Sequence, residues 1–278
     1  MQTLSYNTII ARSKKHLFGE MVGSNPSSKE GDGYDFSQIR PYMYGDNVKR
    51  IDWKQSAKTG QMQLRSFFEE KEINVYVLGL MSGSMHFGID RMKQELMAEV
   101  VALLGFSAIK NSDFFSLALL SDKLLYERLL SKKEAMVREA THQTLQTPVI
   151  AQHLNWNFIQ NYALHRIKKP SLLFILSDFF ELPTLDAIAK KHSVVVIKIR
   201  DHFEEKPSAL GSISIKDPTS LREEKVMLDA GMVTAYTIRQ KRFDQQLDSY
   251  LKQHGIAQMC LYTNEDPYIK LSSVLRAL

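Results

Sequence analysis

The stretch at residues 74–88 constrains the fold more than any other part of the chain. Asn74-Val75-Tyr76-Val77-Leu78-Gly79-Leu80 is short and apolar, rich in β-branched and aromatic residues and without a polar face. That is the pattern of a strand buried on both sides. Ser82-Gly83-Ser84 breaks the run and reads as a turn. From about Asp90, an amphipathic helix is predicted, with Met92, Leu96, Val100, Leu103 and Leu104 on one stripe. Strand, polar turn and helix open a doubly wound α/β domain, in which ligands bind at the carboxyl ends of the strands. Two serines spaced i, i+2 at such a turn can share one crevice. On spacing alone, small residues that suit a tight turn are the simpler explanation.

The rest of the chain fits a mainly parallel sheet with helices on both faces. Strands are predicted at 114–120, 171–178, 194–199 and 256–262, and a hairpin partner at 123–129. Helices are predicted near 132–146, 155–168, 184–191, 239–254 and 267–277, with residues 200–235 as loops and a short hairpin. Alternating β and α elements of this kind give the α/β class. Ahead of them, residues 1–18 read as a loosely periodic helix and 19–33 as a loop. Residues 34–57 form a dense segment of aromatics and alternating charges, followed by an extended run at 61–68. The division expected is an amino-terminal extension at 1–72 and an α/β domain at 73–278.

Composition removes several function classes. No run approaches the roughly 18 apolar residues of a membrane span, and the first 18 residues lack the apolar centre of a secretion signal. A cytoplasmic protein is expected. The single cysteine, Cys260, excludes an internal disulfide and a cysteine metal cluster. Its place in a predicted strand makes it a structural thiol rather than a nucleophile. The net charge of +5 is small, and the basic clusters are not interleaved with aromatics. Nucleic-acid binding therefore ranks third among the functions considered.

The segment Arg40-Pro41-Tyr42-Met43-Tyr44-Gly45-Asp46-Asn47-Val48-Lys49-Arg50-Ile51-Asp52-Trp53, with Ala57 after it, carries a family resemblance. It is similar to the R-x-Y-x-x-G-D-x-x-R-x-I-D-W-x-x-x-A pattern of the bacterial domain-of-unknown-function family fifty-eight. Ser82-Gly83-Ser84-Met85 and Ser177-Asp178-Phe179 extend the likeness, which covers about residues 16–275. The resemblance implies a von Willebrand factor type A-like domain. It also implies a companion of MoxR-type AAA+ ATPases, an adaptor or assembly factor whose von Willebrand-like face engages a partner.

The von Willebrand metal site has the pattern D-x-S-x-S, plus a threonine and an aspartate on later loops. Leu80 stands at the first aspartate position, while Ser82, Ser84 and the later Asp178 match. Thr147 is only a candidate for the threonine. With one carboxylate and two neutral hydroxyls, the expectation is a degenerate site that binds Mg²⁺ weakly or not at all, and no other cofactor. Ser82, Ser84, Ser177 and Asp178 are then expected to form a partner-binding crevice. Arg40, Asp46, Arg50 and Asp52 are expected to make an ion-pair network, either bracing the extension or offering a docking surface, together with Tyr42, Gly45, Trp53 and Ala57.

A hydrolase using Ser82 or Ser84 is the main competitor. The turn is not a G-x-S-x-G elbow, and the histidines are scattered without a metal-binding or base-forming spacing. A non-catalytic module is the favoured reading.

Overall fold

The computed structural model describes residues 6–17, 30–68 and 72–275. The chain forms two compact units, a smaller one of residues 22–72 and a larger one of residues 1–21 with 73–278. The first helix, α1 (Tyr6–Leu17), belongs to the larger unit, where Ile9 and Ile10 enter the core. Helix α1 thus groups with the residues from Ile73 onward.

The smaller unit is an antiparallel ribbon of β1 (Glu30–Pro41) and β2 (Gln63–Phe68), with the short helix α2 (Trp53–Thr59) between them. Of the loop expected at 19–33, residues 19–29 lie outside the described residues, whereas 30–33 already belong to β1. Ile51 bridges to Leu64, and both side chains are buried. The segment 42–62 closes one end of the ribbon, beyond the Pro41–Gln63 pair.

The larger unit holds a six-stranded sheet built from β3 (Asn74–Leu80), β4 (Phe114–Leu120), β5 (Leu124–Ser131), β6 (Leu172–Ser177), β7 (Ser193–Arg200) and β10 (Ala257–Tyr262). Its order is β10-β7-β6-β3-β4-β5, with every pair parallel except the β4–β5 hairpin. This is the doubly wound, mainly parallel α/β sheet expected from the sequence.

Alternation along the strands feeds two cores. Val75, Val77, Phe174, Leu176, Val195 and Ile197 face one layer, formed by α1, α3 (Lys93–Lys110), α4 (Glu134–Gln146) and α9 (Pro267–Leu275). Leu78, Leu80, Leu173, Ile175, Val194 and Val196 face the other, formed by α5 (Trp156–Arg166), α6 (Asp186–Lys191) and α8 (Ala230–Gln253). Burial on both faces is why these strands lack a polar side.

Between β7 and α8, where loops and a hairpin were expected, lie α7 (His202–Glu205) and the antiparallel pair β8 (Gly211–Lys216) and β9 (Glu223–Leu228). Helix α8 begins nine residues earlier than its periodicity suggests, at Ala230 rather than 239. The Asp229 carboxylate caps it by accepting from the Met232 N–H at 2.8 Å. Its first half exposes Met232, Tyr236 and Ile238, so the apolar stripe emerges only from Phe243 onward.

Candidate functional site

Strand β3 leads through α3 to β4 on one side, while β6 lies on its other side. The crevice outside the carboxyl ends of β3 and β6 is therefore the switch point of the sheet. Ser82, Ser84 and Asp178 meet there. After Leu80 the chain makes a single turn of 3₁₀ helix, Gly83–His86. The turn brings the Ser82 and Ser84 hydroxyls within 2.7 Å of each other. Ser84 donates to Oδ2 of Asp178 from the next strand over.

Ser177 does not join them. It shares the β6 face of Leu173 and Ile175, which pack in the other core, and its hydroxyl is buried without a hydrogen-bond partner among the described residues. Thr147 does not join them either. It ends α4 and returns its hydroxyl to the Gln143 carbonyl at 2.7 Å.

The crevice contains a charge that no motif announced. Lys93, at the first position of α3, is 0% exposed. Its ammonium donates to Asp178 Oδ2 at 3.0 Å and to Glu204 Oε1 of α7 at 2.7 Å. The rings of Phe87 and Phe180 lie 6.0 and 5.2 Å from it. Arg200, at the end of β7, is buried behind Asp178 and donates to the Asp178 carbonyl and, at 2.9 Å, to the Phe179 carbonyl. Phe179 holds a left-handed backbone (φ 50°), a strained geometry for a non-glycine residue. This Arg200 bond and stacking on Trp156, with ring centroids 6.1 Å apart, keep it in place.

The electrostatics follow from these contacts. Burial works to raise the Asp178 carboxyl, but the Lys93 ammonium, the Ser84 hydroxyl and Arg200 outweigh it and hold the group below its ordinary range. Glu204 goes the other way. Burial pushes it up to about 7 despite Lys93, and the Asp178 charge adds to the rise.

The crevice is also covered. Gly83 donates to the Gln152 carbonyl at 2.8 Å, and the Pro218 carbonyl between β8 and β9 lies 2.5 Å from where a Cβ on Gly83 would stand. Ser82 and Asp178 are buried, and Ser84 is only partly exposed.

These residues do not fit a divalent cation of the von Willebrand type. Leu80 is fully buried among Leu78, Leu120 and Ile175, where the pattern requires a carboxylate. Asp178 Oδ2 already accepts from Ser84 and Lys93, and the Ser82 hydroxyl is engaged with Ser84. Among the described residues, no group of three or more His, Cys, Asp or Glu side chains is placed to hold a metal ion. The cluster also has no histidine between Ser84 and its carboxylate, and His86 is exposed. Cys260 is half-buried on β10, and burial pushes its thiol up, away from nucleophilic use.

In the smaller unit the signature residues build a braced turn. Arg40 holds both Asp46 oxygens, Nη1 to Oδ2 and Nη2 to Oδ1, each at 2.7 Å. The Met43 N–H also donates to Asp46, at 2.8 Å. The Arg40 bond, then the Met43 bond, hold the Asp46 carboxyl down at about 2. Gly45 takes φ 102°, a turn geometry that L side chains rarely adopt.

Asp52 caps α2 through the Gln55 N–H at 3.0 Å and pairs with Arg65 Nε at 2.8 Å. Asp52 thus takes Arg65 of β2 as an ion-pair partner, and Arg50 ends a short 3₁₀ turn, Val48–Arg50. Tyr42 is half-buried and donates its N–H to the Met62 carbonyl at 2.9 Å, whereas Trp53 and Ala57 are exposed on α2.

A family model described as "Protein of unknown function DUF58" matches residues 38–246, three quarters of the chain, spanning the signature turn and the crevice alike. The chain belongs to this family. Similar relatives are uncharacterized proteins of Mycobacterium tuberculosis and Mycobacterium bovis, each 23% identical over 217 residues, covering 74% of this chain and 68% of theirs. Similar solved structures include the conserved hypothetical protein BatB of Bacteroides thetaiotaomicron, at 10% identity and a TM-score of 0.44, covering 74% of this chain and 100% of that one. Another is the VWA domain of SpRpn10, at 11% identity and a TM-score of 0.39, covering 74% and 94%. The DUF58 family and the six-stranded sheet agree with the von Willebrand A-like fold expected from the signature. Among the described residues, no helix is long and apolar enough to cross a membrane.

Proposed function

We propose that this DUF58 protein is a non-catalytic protein-interaction module, an adaptor that works in the cytoplasm beside a MoxR-type AAA+ ATPase in assembling or regulating a client complex. The observation that carries this reading is the apolar surface at the signature end of the ribbon. Met43, Tyr44, Val48, Trp53 and Met62 are all exposed there, Trp53 by 68%. They sit on segments that the Arg40–Asp46 and Arg65–Asp52 pairs hold in one geometry. Clustered exposed apolar side chains mark interaction surfaces, and a Trp and a Tyr among them are the residue types that dominate binding energy. A braced surface loses little freedom when a partner docks.

The Ser84 edge of the crevice is a second contact in this reading. Ser82 and Asp178 serve from beneath the surface, by holding that edge in shape, whereas Ser177 faces the other core. Ser84 donates directly to a carboxylate that Lys93 neutralises, which favours a structural role over a nucleophilic one.

The test is affinity capture from the native cells with wild type, Trp53→Ala and Ser84→Arg, each first shown to be folded. Recovery of a MoxR-type ATPase with wild type, and its loss with Trp53→Ala, is the expected result. Absence of that ATPase from the wild-type capture would overturn the reading. Equal recovery with Trp53→Ala but loss with Ser84→Arg would move the contact to the crevice.

A further inference from the structure

We infer that the Lys93 ammonium is the resident cation of the crevice and holds, from inside the chain, the position that a divalent ion would need. Three observations converge on this. Lys93 is fully buried, so its charge must be met within the protein, and it is met by Asp178 at 3.0 Å and Glu204 at 2.7 Å. The same Asp178 oxygen takes the Ser84 hydroxyl, so ammonium and hydroxyl converge on one acceptor, as a metal and its serine ligand would. The carboxylate missing at position 80 is replaced by a leucine packed in the apolar core, so the crevice lacks an acidic ligand that a divalent ion would need beside Asp178.

A divalent ion entering this crevice would have to displace the ammonium or sit against it. Neither is favoured while the lysine stem is anchored in α3. The ammonium ties together the carboxyl ends of β6 and β7, through Asp178 and α7, with the start of α3. It thus does the cross-linking work of a metal ion without depending on metal supply.

On this inference the lysine is what keeps a cation from the carboxylates that are still present. Removing it leaves two carboxylates, Asp178 and Glu204, and two hydroxyls, Ser82 and Ser84, around one space. These are hard oxygen donors of the kind Mg²⁺ and Mn²⁺ take alongside waters.

The experiment is a Mn²⁺ titration followed by the electron paramagnetic resonance of the free ion, with thermal unfolding measured with and without Mn²⁺. Its subjects are full-length wild type, Lys93→Ala and Lys93→Ala/Asp178→Asn. Lys93→Gln, which keeps the stem and a hydrogen-bond donor but loses the charge, replaces Lys93→Ala if that variant does not fold. The expected result is no saturable binding by wild type up to about 1 mM Mn²⁺, and at least roughly tenfold tighter binding by the lysine variant. The variant's melting temperature should rise with Mn²⁺, and Asp178→Asn should abolish both gains. Saturable micromolar binding by wild type would overturn the inference. So would a folded lysine variant that binds Mn²⁺ no better than wild type.

Discussion

Lys93, Leu80 and Glu204 carry most of what is distinctive at the residue scale. Breaking a buried ion pair by removing one partner strands the other charge. Lys93→Met should therefore lower stability by about 3–5 kcal/mol in urea unfolding. Adding Asp178→Asn should recover part of that loss, since the two groups are coupled. A lone carboxylate at position 80 should not rebuild a metal site. Leu80→Asp would bury a charge in the apolar core and cost at least about 3 kcal/mol.

Glu204 sets a pH dependence at the same scale. Its folded value, about 7, lies above the ordinary 4.5, so the folded chain holds this proton more tightly than the unfolded chain does. Its contribution is full below pH 4.5 and is lost as pH rises through 7, a change on the order of 3 kcal/mol. Glu204→Gln should flatten that slope in a stability profile between pH 5 and 8. An unchanged slope would mean that Glu204 is ionised across the range.

At the scale of elements, the sheet was largely legible from sequence because its physics is local. Val75, Val77, Leu173 and Ile175 alternate between two cores, so apolar runs with turn signals at their ends locate the strands. The first half of α8 was not legible, because Met232, Tyr236 and Ile238 are exposed and blur the stripe. Ser82, Ser84 and Asp178 could be brought together by reasoning from the switch point. Lys93, Glu204 and Arg200 could not, since a lysine opening a helix ordinarily points to solvent and the other two lie far along the chain. One signal existed. Lys93 is in phase with Met97 and Val100, on a helix whose residues 93–108 are all buried, and a lysine there must find partners.

Asp52 gives the element-scale prediction in the smaller unit. It caps α2 and pairs with Arg65, so Asp52→Ala should speed amide exchange at Gln55 and Ser56, whereas Asp52→Asn, which keeps the cap, should do so less. The Arg40–Asp46 brace adds an acid limit. Its contribution is present above pH 3.8 and is lost as pH falls through about 2.

Taken as a whole molecule, the chain combines a parallel sheet, whose ligand crevice is closed by its own lysine and covered by the β8–β9 connection, with a small unit that displays apolar side chains on a braced turn. In the proposed reading, function resides in surface recognition. Trp53→Ala should leave the melting temperature nearly unchanged, because the side chain is exposed. The most direct measurement is the affinity of the purified protein for the purified MoxR-type ATPase of the same cells, for wild type and Trp53→Ala. The account predicts saturable binding by wild type, weakened at least about tenfold by the substitution. Equal affinity of the two proteins, or no binding by wild type, would contradict it.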